Sequence, residues 1–223
     1  MNSFKIVLSA SALVLAATVA SAQTYGTWND GGSSQIANTQ TNNYNNLSNL
    51  NVTVQKVGGD VVGQGAAAGN LIDITTMNNT NVENDQMVSH NANIGSSINM
   101  NANKVWGSVG IQNQVVCNGA SISTDPALTS VRSNQECNAA DPYSGITANL
   151  RNIAGDATVQ GSALGNSFEA DSNASNMPIV SRQMNNAGNV SNINGNVYNV
   201  GGSVGFSSSA IGNTSQIIHY NAH

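Results

Sequence analysis

The sequence predicts an all-β protein, a repeat β-solenoid similar to a parallel β-helix, built from four repeats of about 48 residues. The first observation is a pattern that recurs in register at residues 57–71, 105–119, 153–167 and 200–214. Each copy places an aliphatic residue before a Gly and ends towards an Asn. The Gly positions are Gly59, Gly107, Gly155 and Gly202, and the Asn positions are Asn70, Asn118, Asn166 and Asn213. Such a period is typical of units that bury their apolar faces against their own copies.

The second observation is period-2 alternation of apolar or small residues with polar ones inside each copy, which indicates half-buried strands. In the third copy the inward positions run from Ile153 through Gly155, Val159 and Ala163 to Gly165. Because these positions are mostly small, the sequence predicts two closely approaching sheets and a thin core.

The third observation is a composition that disfavours both helix and disorder. Gly, Asn, Ser, Thr and Val dominate over helix formers. Charged residues make up 8% of the chain, the net charge is −5, and 39% of residues are hydrophobic. Disordered chains usually combine low hydrophobicity with high net charge. The few basic residues are scattered, so we expect no nucleic-acid partner.

Polar positions also keep the register. Gln64, Gln112 and Gln160 share one outward position, and the residue after each repeat Gly alternates between Asp and Ser: Asp60, Ser108, Asp156 and Ser203. Stacked coils would bring such amides into ladders about 4.8 Å apart and would never oppose two carboxylates in that column. Asn and Gly are expected at turns, where left-handed backbone is needed. Whether one period makes one large coil or two coils of half the length stays open.

The first 22 residues have the features of an export signal. Lys5 precedes an apolar stretch, and residues 20–22 form a small-residue cleavage site before Gln23. We therefore expect residues 1–22 to be a signal peptide and residues 23–223 to be a single β-solenoid domain. The predicted location is secreted, at a bacterial cell surface.

One segment, residues 123–141, departs from the pattern and is predicted to be a loop. It contains Pro126, Pro142 follows it directly, and proline cannot donate to a β-ladder. Cys117 and Cys137 bracket it and are the only cysteines. Two cysteines in an exported chain usually pair, so we predict a disulfide, either as a structural staple or to pin a recognition loop.

The sequence gives little support for catalysis. The histidines, His90, His219 and His223, show no spacing of a metal site or triad. The carboxylates are dispersed, and Asp60 and Asp156 occupy equivalent repeat positions, as a stacking pattern would produce. We predict no enzyme activity, no cofactor and no metal. The alternative is a monomeric β-helix that binds or cleaves extracellular polysaccharide.

The chain resembles bacterial extracellular functional amyloids and surface anchors, namely curli subunits, Fap-type fibre proteins and holdfast-anchor proteins. Residues 160–166 look like the Gln-to-Asn half of their repeats, and Ala154-Gly155-Asp156 before Gln160 is similar to Fap-type repeats. The repeat is about twice the length of a curli repeat, and the terminal Cys-x-x-Cys of Fap-type subunits is missing.

That resemblance implies a secreted structural subunit of an adhesive extracellular fibre or matrix in a biofilm, or an anchor for one. It implies partners among its own copies or related surface subunits. An outer-membrane component or an extracellular polysaccharide is a further partner that the resemblance leaves open. An open solenoid end also favours assembly, because its unpaired backbone groups can template the addition of another chain.

Overall fold

A computed structural model describes residues 34–77, 79–124, 129–173 and 178–220. The signal peptide predicted for residues 1–22 lies outside these ranges. All twelve secondary-structure elements in the described ranges are β-strands, as the sequence predicts. No helix long and apolar enough to span a membrane occurs among these residues.

The strands follow one another in four sets of three, and each set is one coil of the solenoid. Coil 1 holds β1 (Ser34–Asn42), β2 (Asn46–Val57) and β3 (Val61–Thr76); coil 2 holds β4 (Thr80–Val88), β5 (Asn93–Val105) and β6 (Val109–Thr124); coil 3 holds β7 (Thr129–Cys137), β8 (Ala140–Ile153) and β9 (Ala157–Ser172); coil 4 holds β10 (Ile179–Asn185), β11 (Val190–Val200) and β12 (Val204–His219).

Equivalent strands of successive coils pair in parallel and form three four-stranded sheets. Sheet A has the order β1-β4-β7-β10, sheet B the order β2-β5-β8-β11, and sheet C the order β3-β6-β9-β12. Gln64 pairs with Gln112, and Gln112 with Gln160, so the register is the one the repeats predict. One 48-residue period is therefore a single three-stranded coil, which is possible because each strand of sheet C is 16 residues long.

The core is wider than the thin core expected from the small residues of the repeat, and that expectation is wrong. Ile98, Met100 and Leu150 of sheet B are completely or almost completely buried. They face the small residues of sheet C: a Cβ atom on Gly65 would lie 3.1 Å from Ile98 Cγ1. Small residues on one sheet thus make room for large side chains on another, and three sheets enclose a filled core.

The predicted loop at residues 123–141 is also wrong over most of its length. Residues 129–137 form β7, which pairs with β4 on one side and β10 on the other. Residues 125–128, which include Pro126, lie outside the described residues. Pro142 sits inside β8 at a register irregularity opposite Asn93 and Gly95, where a bulge lets the chain pass without a ladder donor.

Candidate functional site

The repeat glycines form a column at the turn between the second and third strand of each coil. A Cβ atom on Gly155 would lie 2.5 Å from Ser108 Oγ and 2.9 Å from the carbonyl carbon of Gly107 in the coil below. Gly107 and Gly202 are equally confined by the coils beneath them. Glycine is therefore required here by the close approach of successive coils. Gly59, in coil 1, has nothing within 4 Å at that position.

The Asp and Ser residues that follow these glycines hold the turns together. The backbone N–H of Ser108 donates to Asp60 Oδ1 at 2.7 Å, and that of Asp156 donates to Ser108 Oγ at 3.1 Å. The N–H of Ser203 donates to Asp156 Oδ1 at 2.7 Å. Each coil thus donates to a side-chain oxygen of the coil below, and the acceptor alternates between carboxylate and hydroxyl.

The repeat asparagines form an amide ladder inside the solenoid. Asn70 Nδ2 donates to Asn118 Oδ1 at 2.9 Å, Asn118 to Asn166 at 2.8 Å, and Asn166 to Asn213 at 2.8 Å. Asn118 Nδ2 also donates to the carbonyl oxygen of Glu136 on sheet A at 3.0 Å. The sequence analysis placed these asparagines at turns. Asn118 and Asn166 are instead fully buried within strands of sheet C.

The asparagine ladder marks a bend in sheet C. On β9 the inward residues occupy odd positions up to Gly165 and even positions from Asn166 onwards. The two halves of each strand therefore face the core from different directions, and the amide occupies the corner between them. The residue before each Asn is a Gly except at Cys117.

The disulfide fills this corner in one coil. Cys117 on β6 is bonded to Cys137 on β7, with the Cα atoms 6.0 Å apart, and both residues are fully buried. The predicted pairing is present, but it does not pin a surface loop. It joins sheet C to sheet A and coil 2 to coil 3 through the core.

Replacing Cys117 and Cys137 together by Ala is expected to lower the free energy of unfolding by about 3 kcal/mol, because the bridge closes 20 residues. Guanidinium denaturation followed by circular dichroism measures the change. Wild-type protein treated with a reductant after partial unfolding should approach the same midpoint. An unchanged midpoint for the double variant would contradict the prediction.

A second buried ladder escaped the sequence analysis. Gln86 Nε2 donates to Gln40 Oε1 at 2.8 Å, Gln135 to Gln86 at 2.9 Å, and Gln183 to Gln135 at 2.9 Å. Its donors point towards coil 1, whereas those of the asparagine ladder point towards coil 4. Paired residues are 46 positions apart between β1 and β4 and 49 positions apart between β4 and β7. A single fixed period therefore does not align these glutamines.

The outward glutamines form a weaker ladder. Gln64 Nε2 donates to Gln112 Oε1 at 3.2 Å, and Gln112 to Gln160 at 3.3 Å, and all three side chains are exposed. The ladder follows the predicted register, but water can replace each of its bonds.

A column of left-handed residues, also missed, precedes the glycines. Lys56, Lys104, Asn152 and Asn199 have φ between 54° and 58°. Asn tolerates this conformation better than most residues, and its recurrence in coils 3 and 4 was the available signal.

The titratable residues of the described ranges are not gathered into a reactive cluster. Asp60 and Asp156 are two coils apart, roughly 10 Å along the stack. His90 and His219 are exposed on different strands or connections, and His223 lies outside the described residues. Among the residues with described positions, no group of three or more His, Cys, Asp or Glu could hold a metal ion.

Among the residues that the structure describes, nothing covers either end of the stack. Val52 in coil 1 is half-buried, whereas its ladder partner Met100 is fully buried. Phe206 in coil 4 is 45% exposed, whereas its partner Val159 is fully buried. A depression of about 480 Å³ beside Phe206 opens into coil 4. The described coils thus leave core residues uncovered at each end.

Residues 8–223 match the family model described as HfaD, holdfast attachment protein D. No curated protein and no solved structure matches the chain significantly.

Proposed function

The chain belongs to the holdfast attachment protein D family, and on that premise we propose that it is an exported structural subunit that joins an adhesive surface assembly through its open solenoid ends. The family name supports a role in attachment at the bacterial cell surface. Its finer role is to build, or tether, an amyloid-like adhesive fibre or matrix. Residues 1–22 serve as the export signal.

The open ends carry this proposal. Each end of the described stack presents three parallel strand edges. It also presents apolar residues whose equivalents in coils 2 and 3 are buried. Unpaired strand edges bind further strands readily, and uncovered apolar surface adds to the driving force. Its own copies or related surface subunits would fit such ends. Outer-membrane components or extracellular polysaccharide would contact the lateral faces.

A monomeric polysaccharide-cleaving β-helix is the alternative. Such chemistry needs paired carboxylates with distinct environments, about 5–10 Å apart on either side of a glycosidic bond. Asp60 and Asp156 instead accept backbone N–H bonds at 2.7 Å in a structural column. These bonds explain the two carboxylates without any catalytic role.

Replacing Asp60 and Asp156 together by Asn is expected to leave attachment within about twofold of wild type, because the Asn Oδ1 can accept the same N–H bonds. Cells lacking the chain would be complemented with wild type or the double variant, and adhesive retained on the cells after washing would be measured. Surface abundance of the folded protein provides the control. Loss of attachment with normal abundance would overturn the structural assignment in favour of catalysis.

A further inference from the structure

We propose that copies of this chain stack head to tail, with coil 1 of one copy on coil 4 of the next, in the register that joins coils within a chain. This inference rests on the proposed function and specifies its partner as a second copy. At such a junction Ser203 would lie beneath Asp60 and Asn213 beneath Asn70. The solenoid would then continue without a break.

The glycine column provides the first argument. The Cβ position of each inner repeat glycine points at the coil below and is blocked by it. Gly59 has the same place in coil 1 but meets nothing within 4 Å. Within the described part of one chain, no neighbour requires a glycine at this position. Beneath a stacked copy it would meet Gly202 and Ser203, as Gly155 meets Gly107 and Ser108.

The two buried amide ladders provide the second argument, because they run in opposite directions. Asn166 donates to Asn213, so the asparagine ladder ends with an exposed amide at coil 4 and begins with the oxygen of Asn70 at coil 1. The glutamine ladder presents the reverse polarity, with the amide of Gln40 at coil 1 and the oxygen of Gln183 at coil 4. A head-to-tail junction in this register brings donor to acceptor in both ladders at once.

The charges provide the third argument. Four coils are an even number, so the alternation of Asp60, Ser108, Asp156 and Ser203 continues across a head-to-tail junction. The N–H of Asp60 would donate to Ser203 Oγ, as that of Asp156 donates to Ser108 Oγ. Among the described charged residues in the strands and turns of coils 1 and 4, no like-charge pair would be formed: Lys56 would meet Asn199, Asp73 would meet Gln216, and Arg182 would meet Thr39.

Cysteine cross-linking tests the junction. Gln64 and Ser207 occupy one outward column, three coils apart, so their Cα atoms are roughly 14 Å apart within a chain. Cysteines at both positions cannot bridge within one copy but would adjoin across the proposed junction. Purified full-length Gln64→Cys/Ser207→Cys protein, mildly oxidised, is expected to give a ladder of covalent multimers on a non-reducing gel. The two single variants should give no multimers. Gln64→Cys/Ile211→Cys should give at least about tenfold less than Gln64→Cys/Ser207→Cys, because residue 211 lies about 13 Å farther along β12 than residue 207.

A space-filling variant provides a second measurement. Gly59→Thr is expected to leave the unfolding midpoint unchanged, because the site is open in one copy, and to reduce multimer formation at least about tenfold. Gly110→Thr is the matched control, since Gly110 also has open space around it and its ladder partner in coil 3 is Thr158. It should assemble like wild type. Light scattering and sedimentation measure the multimers.

The outcomes separate this junction from the proposed function. Covalent dimers of Ser207→Cys alone would indicate joining of like ends and overturn the proposal. Multimers of Gly59→Thr equal to those of wild type would also overturn it. If wild type and Gly110→Thr stay monomeric and the double-cysteine variant keeps free thiols, the junction does not form. Normal attachment of cells that carry Gly59→Thr, when the purified variant no longer forms multimers, would instead sink the proposed function and leave the junction standing.

Discussion

Replacing Asn118 by Leu is expected to lower the free energy of unfolding by about 3–5 kcal/mol, although the Leu side chain has the same number of heavy atoms as Asn and the same branching at Cγ. Asn118 is fully buried, accepts from Asn70, and donates to both Asn166 and the Glu136 carbonyl. Leu can neither accept the hydrogen bond from Asn70 Nδ2 nor donate to Asn166 Oδ1 and the Glu136 carbonyl oxygen. Each buried polar group that loses its partner costs about 1–3 kcal/mol. Guanidinium denaturation measures the loss.

Gln112→Leu is the matched control for this prediction. Gln112 is also the second member of an amide ladder on β6, but its side chain is exposed and its bonds are 3.2 and 3.3 Å long. Water can satisfy Gln64 and Gln160 after the change, so the expected loss is below about 0.5 kcal/mol. Similar losses for the two variants would show that burial of the Asn118 ladder has no special importance.

Ala163→Glu is expected to prevent folding, with a destabilisation of at least about 4 kcal/mol. Ala163 is fully buried on β9, between Val115 and Ala210 in the sheet. A longer side chain has to displace the close-packed core, and its carboxylate would be buried without a partner. Circular dichroism should show loss of the β spectrum, and cells with this variant should lose attachment.

The control for Ala163→Glu is Thr158→Glu on the same strand. Thr158 is exposed, and its ladder neighbours are Gly110 and Gly205, around which a Cβ atom would meet nothing within 4 Å. The change of charge is identical, so a stable Thr158→Glu protein assigns the effect at Ala163 to burial. Equal stability of both variants would mean that this face of β9 is not part of a packed core.

The sequence alone predicts the strands of sheets B and C well, because their repeat keeps a nearly constant period. Gln64, Gln112 and Gln160 lie one above another, as their spacing requires. The spacing could not show that sheet C bends at the asparagines, since a change of inward phase halfway along a strand breaks simple alternation. The core width was misjudged for a related reason: small residues on one strand say nothing about the large residues on the sheet opposite.

Sheet A was the least predictable part. Its strands are short, its connections vary in length, and β7 follows a proline-containing segment. The glutamine ladder of sheet A was therefore invisible to a search at one fixed period. The residues of β7 were predicted to be a loop because prolines lie on both sides of them. A proline disfavours a ladder only at its own position, however, and neither Pro126 nor Pro142 falls within Thr129–Cys137.

The bridge between Cys117 and Cys137 also has a mechanical consequence. A solenoid pulled at its termini gives up its outer coils first, because each coil contacts only its neighbours. Extension can consume coil 1 and coil 4, but residues 118–136, between the cysteines, cannot lengthen while the bond is intact. That segment would otherwise release roughly 70 Å of chain. If the chain bears the drag on an attached cell, as the proposed function implies, its two middle coils stay tied together by a covalent bond after its ends have yielded.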